Sequence, residues 1–271
     1  SFTSDLWQLS KIAAIHSLGD IWAMGAKPQA VLSNIIMPEA SPKVHQSWLN
    51  EIVTAATSVF SSEGAQLVGG HTSIGAEFSL GFSITGIVES DPILISGAKS
   101  GDILILTKPL GTGLLFAAQM NFLAKGIWLE NALFWMSRSQ GRVSKILSCA
   151  NAMTDVTGFG LAGHLLNMCE ASGLSAKINL GDVPIYDGVE YLLKQGVKSS
   201  LHEENQKIKN KIVFDDSVSA NILFDPQTSG GLLASVSPQD SDIVLRKLRA
   251  EGFSPRIIGS FFDGKSHITV I

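Results

Sequence analysis

Thr154-Asp155-Val156-Thr157-Gly158-Phe159-Gly160-Leu161-Ala162-Gly163-His164 is the stretch that decides between two kinds of fold. Gly158, Gly160 and Gly163 have the spacing of a dinucleotide-binding turn. A helical pattern over 158–172 and a strand over 176–180 follow, and Asp182 stands at about the distance of a ribose-binding acid. The residues before Gly158 speak against that reading. Asn151, Thr154, Asp155 and Thr157 leave too few apolar positions for a central parallel strand. Asp155 would also set negative charge beside a pyrophosphate, which makes sense only with a divalent cation between them. Asp155 therefore reads as a metal carboxylate at a helix start, or as the residue that caps that helix.

Outward from this turn, helix and strand patterns alternate, which implies an α/β (α+β) class. Upstream, Asp5 caps a helix carrying Leu6, Leu9, Ile12 and Ile15, stopped at Gly25 and Pro28. A buried strand over 30–37, a helix opened by Ser41-Pro42, a short strand over 66–70 and a strand over 78–89 complete the first part. Asp91-Pro92, Gly97 and Gly101 mark a boundary, giving domains 1–95 and 96–271. Beyond it come a strand over 102–108, helices over 114–124 and 129–150, a strand over 231–237, a helix over 241–251 and two closing strands. Residues 196–216 are polar, with Lys207, Lys209 and Lys211 alternating, and read as an exposed excursion.

Four further clusters could carry chemistry. Asp20 interrupts an apolar face of Ile15, Leu18, Ile21 and Met24; it is costly there unless paired or bound to metal, or it is a solvated carboxylate near a helix end. Gly69-Gly70-His71-Thr72 could let backbone N–H groups cradle phosphate, or form a tight turn with a structural His71. Lys108-Pro109-Leu110-Gly111-Thr112-Gly113 leads a strand into a helix whose N-terminus could hold an anion, without the Gly-Lys-Ser/Thr of a P-loop. Asp225-Pro226-Gln227-Thr228-Ser229-Gly230-Gly231 reads as a turn, and Ser229 has no His and Asp arrangement to make it a nucleophile.

Composition narrows the class. The chain has 271 residues, 45% hydrophobic and 16% charged, with net charge -4. That length suits about two domains. The low charged fraction favours large internal interfaces or an oligomer, and the mild acidity argues against a nucleic-acid or polybasic membrane contact. Cys149 and Cys169 lack metal-ligand spacing and read as buried apolar residues of a reducing cytoplasm. No apolar run nears the roughly 20 residues of a membrane helix, and no signal-peptide pattern opens the chain. Residue 1 is Ser, so the chain reads as an excised piece of a longer protein.

Taken in order, five motifs resemble those of the selenophosphate synthetases (selenide, water dikinases) across essentially the whole chain: residues 19–25, 69–72, 106–113, 154–164 and 225–233. The last two separate it from aminoimidazole ribonucleotide synthetase, thiamine-monophosphate kinase and the hydrogenase maturation dehydratase, which share the superfamily. The resemblance implies a two-domain aminoimidazole ribonucleotide synthetase-like fold whose N-terminal domain forms a β-barrel-like interface in a homodimer. It implies conversion of selenide, ATP and water to selenophosphate, AMP and phosphate with Mg2+. Asp20 is then a magnesium and ATP ligand, and Asp155 a second magnesium ligand. Gly69, Gly70 and His71 become an ATP-contacting loop that reaches the neighbouring subunit's nucleotide. The family's catalytic Cys or selenocysteine, its partner Lys and a further acidic residue lie upstream of Ser1, so this chain alone is expected to be inactive. Gly19 replaces the family's usual Ser. The opening and Gly70-His71-Thr72 resemble a subgroup fused behind a flavoprotein NADH-dehydrogenase-like domain. Two other readings stay open: a nicotinamide- or flavin-binding oxidoreductase domain built on the 158–163 glycines, and a non-catalytic dimerisation or regulatory module of a larger fusion.

Overall fold

The computed structural model describes residues 2–89, 91–214 and 218–271. Its first part runs α1 (Leu6–Ala23), β1 (Lys27–Pro38), α2 (Pro42–Ser62), β2 (Gln66–Gly75) and β3 (Ser79–Ile87). The strands form an open sheet in the order β2-β1-β3, with β1 parallel to β2 and antiparallel to β3. Asp5 starts α1 as expected: its Oδ1 accepts from the Gln8 N–H at 3.0 Å. β1 alternates rather than burying both faces. Val31, Ile35 and Met37 are buried, whereas Leu32 is exposed.

The second part runs β4 (Ile103–Leu106), α3 (Thr112–Met120), α4 (Gly126–Met136), α5 (Gly141–Ile146), β5 (Ala152–Asp155), α6 (Gly160–Ser172), β6 (Ser175–Ile178), α7 (Val189–Lys194), α8 (His202–Asn205), β7 (Ile212–Val213), β8 (Leu232–Val236), α9 (Pro238–Ala250), β9 (Arg256–Phe262) and β10 (Ile268–Val270). One mixed sheet of order β5-β8-β4-β9-β6-β10-β7 holds them together. The fold is thus a two-sheet α/β arrangement with helices packed on both sheets.

α1 joins the two parts. Ile15, Leu18 and Trp22 of α1 and Phe60 of α2 share a core with Val143 and Leu147, Met153 of β5, and Leu232 and Ala234 of β8. The helix is buried on most of its circumference because it is wedged between sheets, so the expected single apolar face is replaced by a narrow polar stripe of His16, Ser17 and Asp20. Asp20 does not interrupt the apolar face; it is exposed on that stripe.

Other expectations are corrected by the structure. The 129–150 helix is two helices, α4 and α5, and at the break Arg138 turns its guanidinium onto the Gly252 and Glu251 carbonyls. Gly69-Gly70-His71-Thr72 lies inside β2 rather than after a short strand. Gly70 faces Ser33 of β1 just past a β2 bulge at Val68, and a Cβ there would lie 2.3 Å from the Ser33 carbonyl oxygen, so only glycine lets the strands close. A strand does precede Gly158. β5 tolerates its polar residues because it is an edge strand, antiparallel to β8. Cys169 is buried, but Cys149 is exposed on the turn after α5. The 196–216 excursion is solvated at Lys207 and Lys211, which pair with Glu204 and Glu170, but it also buries Asn205. Part of it, 215–217, lies outside the described residues. No helix among the described residues is long and apolar enough to cross a membrane.

Candidate active site

α1 and the end of β5 meet over a cleft of about 260 Å³ lined by His16, Ser17, Asp20, Phe82, Asp155 and Thr157. His16 and Asp20 are one helical turn apart and so share a face. Asp155 is the last residue of β5, five positions before α6, and is not a helix-start residue. The residue is 8% exposed and its carboxylate lies against α1, where a Cβ at Gly19 would stand 2.5 Å from Asp155 Oδ2. Gly19 is therefore what allows the carboxylate to reach the helix. Burial first, and the charge of Asp20 second, push Asp155 up to about 6 from 3.8. The cleft thus brings together two carboxylates that repel one another without a cation.

The loop after β5 is held at Thr157 and Gly158. His164 Nε2 accepts from the Thr157 N–H at 3.0 Å and from the Thr157 hydroxyl at 3.2 Å. Burial holds His164 down at about 4, so the ring is neutral and can accept. The Gln227 N–H donates to the Thr157 carbonyl, and Asn205 Nδ2 bridges the Gly158 and Phe224 carbonyls at 2.9 and 3.0 Å. Asn205 comes from the polar excursion, and no spacing in the sequence marks it.

Residues 225–231 tie the site to the larger sheet. Gln227 Oε1 accepts from the Gly111 and Thr112 N–H groups and from the Thr112 hydroxyl, and the Gly113 N–H donates to the Pro226 carbonyl. The α3 N-terminus is therefore occupied by protein, which corrects its reading as an anion site. Lys108 is fully buried; its Nζ donates to the Arg138 and Ser229 carbonyls at 3.0 and 3.1 Å. Burial pulls it down to about 7. The Ser229 N–H donates to His16 Nδ1 at 3.1 Å. His16 was not among the residues singled out above, although its i, i+4 spacing to Asp20 was available to find it.

Asp20 and Asp155 thus converge, whereas Gly69, Gly70 and His71 do not join them. The motif stands on β2, across β1 from the β3 residue Phe82 that lines the cleft. The dinucleotide reading also fails on topology. β5 and β6, which flank α6, are separated in the sheet by β8, β4 and β9, so they do not form the adjacent βαβ unit it needs.

The residues fit magnesium better than zinc. No group of three or more His, Cys, Asp or Glu able to hold a metal occurs among the described residues. Two carboxylates facing an open cleft match an ion that takes few protein ligands and completes its shell with phosphate oxygens and water.

Comparison with known proteins agrees with this architecture. Residues 1–88 match the N-terminal domain and residues 99–271 the C-terminal domain of the AIR synthase related proteins. The two domain matches and the two-sheet α/β fold place the chain in that class. Within it, the chain is 36% identical to a selenide, water dikinase of Geobacter metallireducens, covering 98% of this chain and 79% of the relative. It is 37% identical to that of Aeromonas hydrophila, covering 94% and 74%. The chain belongs to the selenide, water dikinase family. Solved structures share the fold: thiamine-monophosphate kinase from Stenotrophomonas maltophilia K279a has TM-score 0.76 at 18% identity, covering 98% of this chain and 78% of that one. The hydrogenase maturation protein HypE in complex with ATP has TM-score 0.74 at 17% identity, covering 97% and 75%.

Proposed function

We propose that this protein makes selenophosphate from selenide, ATP and water, releasing AMP and phosphate, as a homodimer in the reducing cytoplasm. The observation that carries the reading is the convergence of Asp20 and Asp155 on one cleft in a chain of this family. Asp20 and Asp155 hold magnesium, and Gly19 lets Asp155 take its place. Magnesium, when bound, neutralises charge on the phosphoryl oxygens of ATP. The chain's own part is positioning. His164, Gln227 and Asn205 immobilise the Thr157–Gly158 turn, so that the carboxylate end of β5 keeps its geometry. Gly69, Gly70 and His71 serve the second subunit's nucleotide. In support, the three-stranded sheet leaves Leu32, Val68 and Ile74 exposed, an apolar surface suited to burial against a second copy in a barrel-like interface.

The test is anaerobic incubation of the full-length protein with ATP, magnesium and selenide, followed by phosphorus NMR. A selenium-bound phosphorus species in wild type, absent in Asp20→Asn and Asp155→Asn, is the expected result. Its absence in wild type, despite bound nucleotide, rejects the reading.

A further inference from the structure

The cleft has two acceptors and a shortage of donors. Asp20 and Asp155, when ionised, can only accept hydrogen bonds. The Ser17 hydroxyl donates to the Ala13 carbonyl at 2.9 Å. The Thr157 N–H and hydroxyl are both spent on His164 Nε2. Among the lining side chains this leaves His16. Its one hydrogen bond among the described residues is accepted, at Nδ1, from the Ser229 N–H. A backbone N–H can only donate, so this partner assigns the tautomer without ambiguity: Nδ1 is bare and the proton of the neutral ring is on Nε2. Burial favours that neutral ring, and nearby Lys108 adds to the effect against the opposing pull of Asp20.

The ring is also held still. Ser229 is in the left-handed region at φ 52°, its hydroxyl donates to the Met136 carbonyl at 2.7 Å, and its carbonyl accepts from the buried Lys108. The donor that fixes His16 is thus anchored to the larger sheet, while His16 itself rides on α1 beside Asp20. An oriented, neutral N–H next to a carboxylate pair suits a phosphoryl group. A metal held by Asp20 and Asp155 would neutralise the phosphoryl oxygens turned toward it, and an oxygen facing protein needs a donor.

We propose that His16 contacts substrate directly, donating its Nε2–H to a phosphoryl oxygen of the nucleotide bound over Asp20 and Asp155. This rests on the function proposed above. Two substitutions separate contact from scaffolding. His16→Asn sets an amide oxygen near the place of Nδ1, keeping the Ser229 link while withdrawing the Nε2 donor. His16→Gln extends an amide N–H toward the place of Nε2.

Binding of a magnesium-loaded β,γ-methylene ATP analogue to the full-length protein would be measured by calorimetry, and the ring nitrogens by ¹⁵N NMR. His16→Asn should weaken binding roughly ten- to hundredfold, the worth of a hydrogen bond to a charged group. Its melting temperature should stay near wild type, and His16→Gln should recover part of the loss. In wild type, Nε2 should carry the proton and shift when nucleotide is added. Unchanged affinity in His16→Asn, or a proton found on Nδ1, overturns the role of His16 and leaves the proposed function standing. Failure of the wild type to bind the analogue removes both.

Discussion

Asp155→Asn should stabilise the metal-free protein while abolishing its response to magnesium. The folded chain holds the Asp155 proton up to about pH 6, against 3.8 for an ordinary carboxyl. Between those values the folded state binds more protons than the unfolded state, so stability falls as pH rises through the window and the full deficit is present above it. A difference of about 2 pK units corresponds to about 3 kcal/mol at neutral pH, an upper figure because the site can relax or admit water. Asn has the same shape and no charge to lose, so it escapes the deficit. At about 2–4 °C per kcal/mol for chains near this size, the melting temperature should rise by several degrees. The assay is thermal unfolding by circular dichroism in EDTA at pH 7.5 and pH 4.5. The variant should melt higher at pH 7.5, and the gap should shrink to about a third at pH 4.5, closing fully only below the unfolded value of 3.8. Added magnesium and nucleotide should raise the wild-type melting temperature but not the variant's. A variant that melts lower at pH 7.5, or a gap that ignores pH, would refute the account of two repelling carboxylates.

Gly19→Ala should keep or raise the melting temperature, since alanine favours a helix by about 1 kcal/mol. Its methyl, 2.5 Å from Asp155 Oδ2, should turn the carboxylate away and lower kcat/KM by roughly 10²-fold in steady-state assays. Lys108 is charged only below about pH 7 in the folded chain but up to 10.5 when unfolded. The unfolded state therefore binds more protons in between, and wild-type stability should rise by about 1.5–2 kcal/mol from pH 7 to pH 8.5; urea unfolding of Lys108→Met should lack that rise. Asn205→Ala leaves the Gly158 and Phe224 carbonyls unpaired and should lower the urea midpoint by about 1–3 kcal/mol in stability, with the slope unchanged.

How far these features were legible depended on sequence distance. The Asp5 cap, the Ser41-Pro42 helix start and the strand from Leu232 are local, and local chemistry defines them. Asp20 and Asp155 each stood out as a carboxylate in an unlikely place, but their meeting requires α1 to pack on β5 across 134 intervening positions, which no periodicity encodes. Asp20 was misplaced on an apolar face because α1 is buried on two sides, a condition set by both sheets. The α3 N-terminus looked free because its occupant, Gln227, arrives from more than a hundred residues away. Asn205 was hidden in a polar stretch, where a buried amide resembles its solvated neighbours. His16 was legible from its i, i+4 relation to Asp20, whereas its fixed tautomer depends on Ser229 and was not.

The most direct test of the central claim is which nucleotide the full-length protein releases from ATP. With selenide and magnesium under anaerobic conditions, chromatography of the nucleotides should show AMP accumulating in step with selenide consumed. ADP as the final product, or AMP formed at the same rate without selenide, would contradict the assignment of dikinase chemistry to the Asp20–Asp155 cleft.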